Sequence, residues 1–171
     1  MNRKMELRII AAMAKGNVIG NKGKLPWQIP EDLKHFKELT EGYTCIMGRK
    51  TYFSIPERYR PLSNRDNIII SRTKNLSESN VQSFTSLEEA LESYKERDKL
   101  FVIGGSQIYD LAMTYATHLD LTLIDGFFEG DTYFPKITED WVIINECSEV
   151  GVNRLTNEKI KLNYITFERL I

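Results

Sequence analysis

The chain has 171 residues, 42% of them hydrophobic and 27% charged, with a formal net charge of -1 at pH 7. Residues 1–171 therefore read as a single domain, long enough to bury roughly 70% of its unfolded surface. A nearly neutral chain lacks the overall electrostatic footprint of a nucleic-acid or anionic-membrane binder, so neither is expected as a partner.

The chain begins MNRKMELRIIAAMAKG, a faint imitation of a signal peptide. Its apolar run IIAAMA ends at Lys15 and is shorter than the usual core of ~7–15 residues. No segment approaches the ~18 apolar residues of a membrane helix. A reducing cytoplasm is the expected setting.

Residues 7–14 (LRIIAAMA) suit a strand covered on both faces, with the small Ala11 and Ala12 leaving room near its end for something flat. Residues 19–36 (IGNKGKLPWQIPEDLKHF) open as a loop around Asn21, Gly23 and Pro26. They continue as a helix in which Pro30 suits the first turn, and Leu33, Phe36 and Leu39 repeat at helical spacing. Asp32 fits two roles. It can complement the helix dipole, or it can be a buried carboxylate beneath a flexible lid carrying Leu25 and Trp27.

A second strand is expected at 43–48 (YTCIMG), followed by a short helix at 49–55 and a loop at 56–65 with two prolines and three arginines. A third strand follows at 67–71 (NIIIS), then a polar linker at 73–80 and a brief edge strand at 81–84. Ser86 and Glu89 form a capping box for a helix whose inner face is Leu87, Ala90, Leu91 and Tyr94. A strand at 99–103 (KLFVI) leads through Gly104-Gly105 to a helix from Ser106 to about Tyr115. A strand at 119–124 follows. Residues 141–150 and 160–168 read as two final strands joined through 153–157 as a hairpin.

Cys45 and Cys147 lie far apart in strand-like runs, and we expect both to be buried free thiols. With only His35 and His118, and no paired Cys motif, there is no metal-ligand spacing, and no metal is expected. Strands alternating with short helices, closed by a strand pair, describe an α/β protein with a mostly parallel sheet and an antiparallel edge. Ligands of such sheets bind beyond the carboxyl ends of the strands.

Two strands end in glycine plus a helix there, CIMG-RKTYFS and FVIGG-SQIYDL. Helix amino termini offer unpaired N–H groups, and glycine admits a ligand to the backbone, which suits phosphates. Strand–glycine–helix is equally an ordinary tight connection, and neither segment is GxGxxG or a Walker loop. Arg49 and Lys50 start one helix, while Ser71 and Arg72 end the next strand. If those strands are neighbours, three cations and a hydroxyl converge as a site for a phosphomonoester such as the 2′-phosphate of NADPH. The alternative is a solvated basic rim.

Seven segments in order, IIAAMAKGNVIG, LPWQIPEDLKHFK, IMGRKTYFSI, RPLSNRDNIIISR, VIGGSQIY, LTLID and EGDTYFP, closely resemble bacterial dihydrofolate reductase over nearly the whole length. The resemblance implies a central, mostly parallel eight-stranded sheet with an antiparallel C-terminal strand and four flanking helices. It implies NADPH as hydride donor, dihydrofolate as acceptor and antifolate-type inhibitors as further ligands. It also implies a monomer supplying tetrahydrofolate to one-carbon metabolism.

Carried over by position, Asp32 matches the family's pterin-anchoring acid. Thr122 would support it through water, and Trp27 belongs to the closing lid at 14–28. Ile10, Ala12, Leu33, Phe36, Ile55, Leu62 and Ile103 match the apolar walls of the substrate pocket. Arg65 matches the arginine that pairs with the α-carboxylate of the folate tail. Ala12, Ile19, Gly20, Gly48, Arg49, Lys50, Thr51, Ser71, Arg72, Gly104, Gly105, Ser106, Gln107 and Ile108 match cofactor contacts, with a cis peptide implied at Gly104-Gly105. Asp131 matches the acid that braces the lid. Leu25, Asp120 and Ser106-Gln107 depart from the commonest pattern, as does the long loop at 55–60.

The resemblance implies hydride transfer to pterin C6 with protonation at N5, Asp32 orienting the ring rather than donating the proton. A pyrimidine reductase of riboflavin synthesis shares the fold and cofactor, but the pairing of Asp32 with Arg65 favours folate. A non-catalytic nucleotide-binding protein is the other alternative, and the complete set of lid, acid and tail arginine argues against it.

Overall fold

The computed structural model describes residues 4–73 and 81–170, so most of the expected polar linker lies outside the described residues. In chain order the elements are β1 (Glu6–Ala14), β2 (Val18–Gly20), α1 (Pro30–Thr40), β3 (Thr44–Gly48), α2 (Arg49–Ser54), β4 (Asp66–Ile70) and β5 (Val81–Phe84). They continue with α3 (Leu87–Ser93), β6 (Lys99–Gly104), α4 (Ser106–Ala112), β7 (His118–Ile124), β8 (Thr132–Tyr133), β9 (Trp141–Asn153) and β10 (Glu158–Arg169).

Among the described residues ten strands form one sheet, not the expected eight; eight of them follow the order β5-β4-β3-β6-β1-β7-β10-β9, and β2 and β8 lie off this path. The strands from β5 to β7 pair in parallel, and β10 pairs antiparallel with both β7 and β9. The antiparallel strand is thus the C-terminal one, as expected, but it lies inside the edge. The long β9 covers its outer side.

Alternation along the strands sorts the side chains onto two faces. Leu7, Ile9, Ala11 and Met13 of β1 join Ile46, Leu100, Val102, Leu119 and Leu121 in a core capped by Leu87 and Ala90 of α3 and Ile108, Tyr109 and Ala112 of α4. Ile10 faces the other way with Cys45, Met47, Ile69 and Phe101, beneath Tyr52 of α2 and the partly buried Phe36 and Leu39 of α1. Near-continuous apolar runs are what a sheet covered on both faces requires.

Four local expectations need correction. The helix after Gly105 stops at Ala112, because the chain tightens into turns before β7. Ser86 Oγ accepts from the Glu89 amide at 3.2 Å, but the Glu89 carboxylate reaches back to Thr85, not to the Ser86 amide. The short β2 and β8, too brief for a periodicity signal, extend the sheet from the end of β1, β2 pairing antiparallel with both β1 and β8. Both cysteines are free thiols, but only Cys45 is buried. Cys147 is exposed because β9, with one neighbour strand among the described residues, leaves residues 142–150 open to solvent.

Candidate active site

Asp32 sits in the first turn of α1, where Pro30 leads the helix and the Asp32 amide donates to Ile29 O at 3.1 Å. Its carboxylate points to β7, where Thr122 Oγ1 donates to Oδ1 at 2.7 Å. Thr122 thus bonds Asp32 directly, which is possible because α1 lies against this end of the sheet. Burial raises the carboxyl's proton affinity, the Thr122 bond and nearby His35 lower it, and Glu149 raises it again. Asp32 therefore does more than decorate a helix end.

Around it, Ile10 of β1 is buried, and Phe36, Ile55, Leu62 and Ile103 pack partly buried on the same cluster. Ala12 belongs to the neighbouring cluster with Trp27. Leu33 stands 54% exposed.

Arg65 reaches back to α1, its Nη1 donating to Thr40 Oγ1 at 3.1 Å and its guanidinium 5.9 Å from the Phe36 ring centroid. The loop that carries it is shaped by the buried Asn67. That amide accepts from Leu62 N at 2.9 Å and donates to Leu62 O and Arg65 O, both at 3.0 Å.

The two strand–glycine–helix junctions come together, since β3 lies between β4 and β6. A Cβ on Gly48 would lie 3.2 Å from Ile108 Cγ1, and one on Gly105 3.3 Å from Thr51 Oγ1. The glycines thus keep a shallow cradle between the starts of α2 and α4, and the Gly104-Gly105 peptide is cis. Gly104, at φ 124, is in a conformation that suits only glycine. Ser106 and Gln107 begin α4 directly beyond it.

Gly48 pairs with Ile70, which places Arg49 and Lys50 level with Ser71 and Arg72. Arg49 Nη1 donates to Thr73 Oγ1 at 3.3 Å, and that hydroxyl lies 3.3 Å from the Ser71 hydroxyl. The neighbouring-strand condition for a convergent cation site is met.

The lid leaves β1 through Lys15, and Ile19 and Gly20 lie in β2. Asp131 accepts from Lys22 N at 3.0 Å, and its own amide donates to Gly20 O at 3.0 Å. Trp27 is buried, with its ring edge-on to Phe128 at 5.2 Å.

Comparison with known proteins matches the chain over residues 6–169 to the dihydrofolate reductase family model. Dihydrofolate reductase from Mycobacterium tuberculosis is 42% identical over 164 residues, covering 94% of this chain and 96% of the relative. That from Buchnera aphidicola is 39% identical over 167 residues, covering 97% and 98%. The chain belongs to the dihydrofolate reductase family. A solved structure of dihydrofolate reductase from Enterococcus faecalis, complexed with NADP(H) and RAB-propyl, superposes with a TM-score of 0.83 at 33% identity and covers 96% of each chain.

Within this reductase fold, several residues at the site escaped the sequence reading. Tyr109 is buried, its hydroxyl 2.8 Å from Ile10 O and 2.9 Å from Ile103 O, tying α4 to β1 and β6. Asn67 reads locally as one more strand residue; its polar side chain within NIIIS was the only hint. His35, Tyr164 and Glu149 gather beside Asp32 from three elements, and no local pattern joins them. Among the described residues no group of three His, Cys, Asp or Glu could hold a metal ion.

Proposed function

We propose that the chain reduces 7,8-dihydrofolate to 5,6,7,8-tetrahydrofolate with NADPH, by hydride transfer to pterin C6 and protonation at N5. The observation that carries this is the Asp32 carboxylate, set among apolar walls at the carboxyl end of the sheet and held by Thr122 at 2.7 Å. Family membership supplies the reaction; the residue roles are our reading of the geometry.

A carboxylate with one oxygen held by Thr122 keeps lone pairs for the pterin 2-amino group and the adjacent ring nitrogen. Ile10, Ala12, Leu33, Phe36, Ile55, Leu62 and Ile103 would sandwich the ring and tail. Arg65, braced by Thr40, would pair with the α-carboxylate of the glutamate. The cradle of Gly48, Thr51, Gly104, Gly105, Ser106, Gln107 and Ile108 fits a pyrophosphate and a flat ring, because a backbone without Cβ atoms admits both. Arg49, Lys50, Ser71 and Arg72 fit the 2′-phosphate. NADPH supplies the hydride when bound. Ala12, Ile19, Gly20 and Trp27 would close the site and exclude bulk water, and Asp32 orients the ring so that N5 can take its proton from water.

We further infer that antifolates occupy the same pocket and that the protein works as a cytoplasmic monomer without nucleic-acid or membrane partners. Among the described residues no helix is long and apolar enough to cross a membrane. The direct test is loss of NADPH absorbance on adding dihydrofolate. Turnover is expected for the wild type and a drop of ~10²–10⁴ for Asp32→Asn near neutral pH. Near-normal turnover in that variant refutes the role of Asp32.

A further inference from the structure

Asp32 is not an isolated acid. One helical turn along α1, His35 lies on the same side of the helix. Its ring stacks on Tyr164 of β10, with centroids 3.8 Å apart and planes at 23°. Tyr164 pairs across the sheet with Thr122, the residue that holds Asp32. On its other side Tyr164 OH donates to Glu149 Oε2 of β9 at 2.7 Å. A cation-forming ring and an anion thus flank Asp32 from two directions, joined by one tyrosine.

We propose that His35 is a positioning residue for the reductase reaction, with Glu149 as its counterweight through Tyr164, and that the pair regulates the charge of Asp32. The proposal rests on the folate-reducing reading of the site. Its physics is simple. Asp32 is partly desolvated, so its carboxylate is sensitive to nearby charge. A protonated His35 favours the carboxylate that the pterin needs, and Glu149 opposes it.

Other titratable groups on the packed elements have partners of their own. On α1, Glu31 accepts from Val152 N at 3.3 Å and Lys34 approaches Glu38 at 3.9 Å. From α4, the Tyr109 hydroxyl is engaged with two carbonyls. On β9, Cys147 is opposite Tyr164 in the strand pairing. The Tyr164 phenol is held neutral, by burial and then by its bond to Glu149, so it transmits position and not charge.

The test titrates the Asp32 carboxyl by carbon NMR, and in parallel follows the pH dependence of dihydrofolate binding. Binding needs the carboxylate, so it fails on the acid side as Asp32 takes up its proton. His35→Gln is expected to move both transitions to higher pH by about 0.3–1 unit, and Glu149→Gln to move them to lower pH by a similar amount. His35→Lys, a cation at all working pH values, should restore or overshoot the wild-type position. Tyr164→Phe keeps the ring stack but unhooks Glu149, and should blunt the effect of Glu149→Gln. Shifts in one common direction would show general loosening and overturn the proposal, as would unmoved transitions. The NMR arm reads the couple without turnover. A wild type that ignores dihydrofolate would sink the folate reading, while the titration still decides the role of His35.

Discussion

At the scale of single residues, the chemistry of Asp32 has a cost in stability that can be measured. Its carboxyl pKa is raised above the ordinary 3.8, first by burial, so the folded state holds its proton more tightly than the unfolded chain does. The sign follows. The contribution to stability is complete below the unfolded value and is lost as pH rises through the folded one. Asp32→Asn, which can still accept from Thr122, should therefore leave the protein at least as heat-stable as wild type at pH 7, despite its loss of turnover. The advantage should vanish below about pH 4, a contrast that thermal melts at two pH values will read.

A second residue-scale prediction concerns the pair of Arg8 and Asp120. Two bonds of 2.7 and 2.9 Å join them, with side-chain exposures of 14% and 4%. Asp120→Ala leaves a guanidinium buried without its main partner, and should cost about 3–5 kcal/mol in denaturant unfolding. Replacing both by leucine should recover most of that, because the isolated charge is then gone. In sequence Asp120 stands out only as a departure from the commonest pattern. Its partner, 112 residues away, is set by the parallel register of β1 and β7, which no local pattern encodes.

At the scale of elements, the loop after β7 is fitted closely to the lid. A Cβ on Gly130 would fall 2.3 Å from Val18 Cγ1 and 2.8 Å from the Gly20 carbonyl. Gly130→Ala must push β2 away from β8, and turnover should fall without a matching loss of global stability. Equal turnover would show that the fit is incidental to closure. At the other end of the site, neutralising Arg49, Lys50 and Arg72 together should erode the preference for NADPH over NADH, measured as the ratio of kcat/KM. An unchanged ratio would mark the cluster as a solvated rim.

Elements long enough to carry a period were legible in advance. The buried runs of β1, β3, β4, β6 and β7, and the capped start of α3, follow from composition and spacing. Strand order and the role of Asn67 or Asn153 do not. Asn153 is buried, and its Oδ1 accepts from Gln28 N at 3.1 Å and Leu155 N at 3.3 Å, joining the β9–β10 hairpin to the lid's far end. A polar residue in a turn is ordinary in sequence, and only the fold reveals what it holds.

At the scale of the whole molecule, the proposed site is an assembly of distant parts. Asp32, Arg65, Gly104 and Thr122 arrive from α1, a loop, β6 and β7 and meet only when the sheet has formed. Ligands that bind this arrangement and not the unfolded chain must stabilise it. At 100 times its dissociation constant, NADPH should add about 2.7 kcal/mol, or ~5–10 °C in Tm for a chain of this size. NADH at the same concentration should add less, and equal shifts would argue against a 2′-phosphate site.

The lid is fastened lightly compared with what it covers. Strand β2 has three residues and β8 two, while the ladder of β1 with β7 behind them runs from Arg8 to Ala14. Short ladders open by local fluctuation at little free energy, without unfolding the core. Amide protons between Val18 and Lys24 should therefore exchange with solvent orders of magnitude faster than those of Ile9 to Met13. A bound ligand pair should slow the first set and leave the second unchanged. The enzyme would then carry two clocks, a quick one at its entrance and a slow one in its frame.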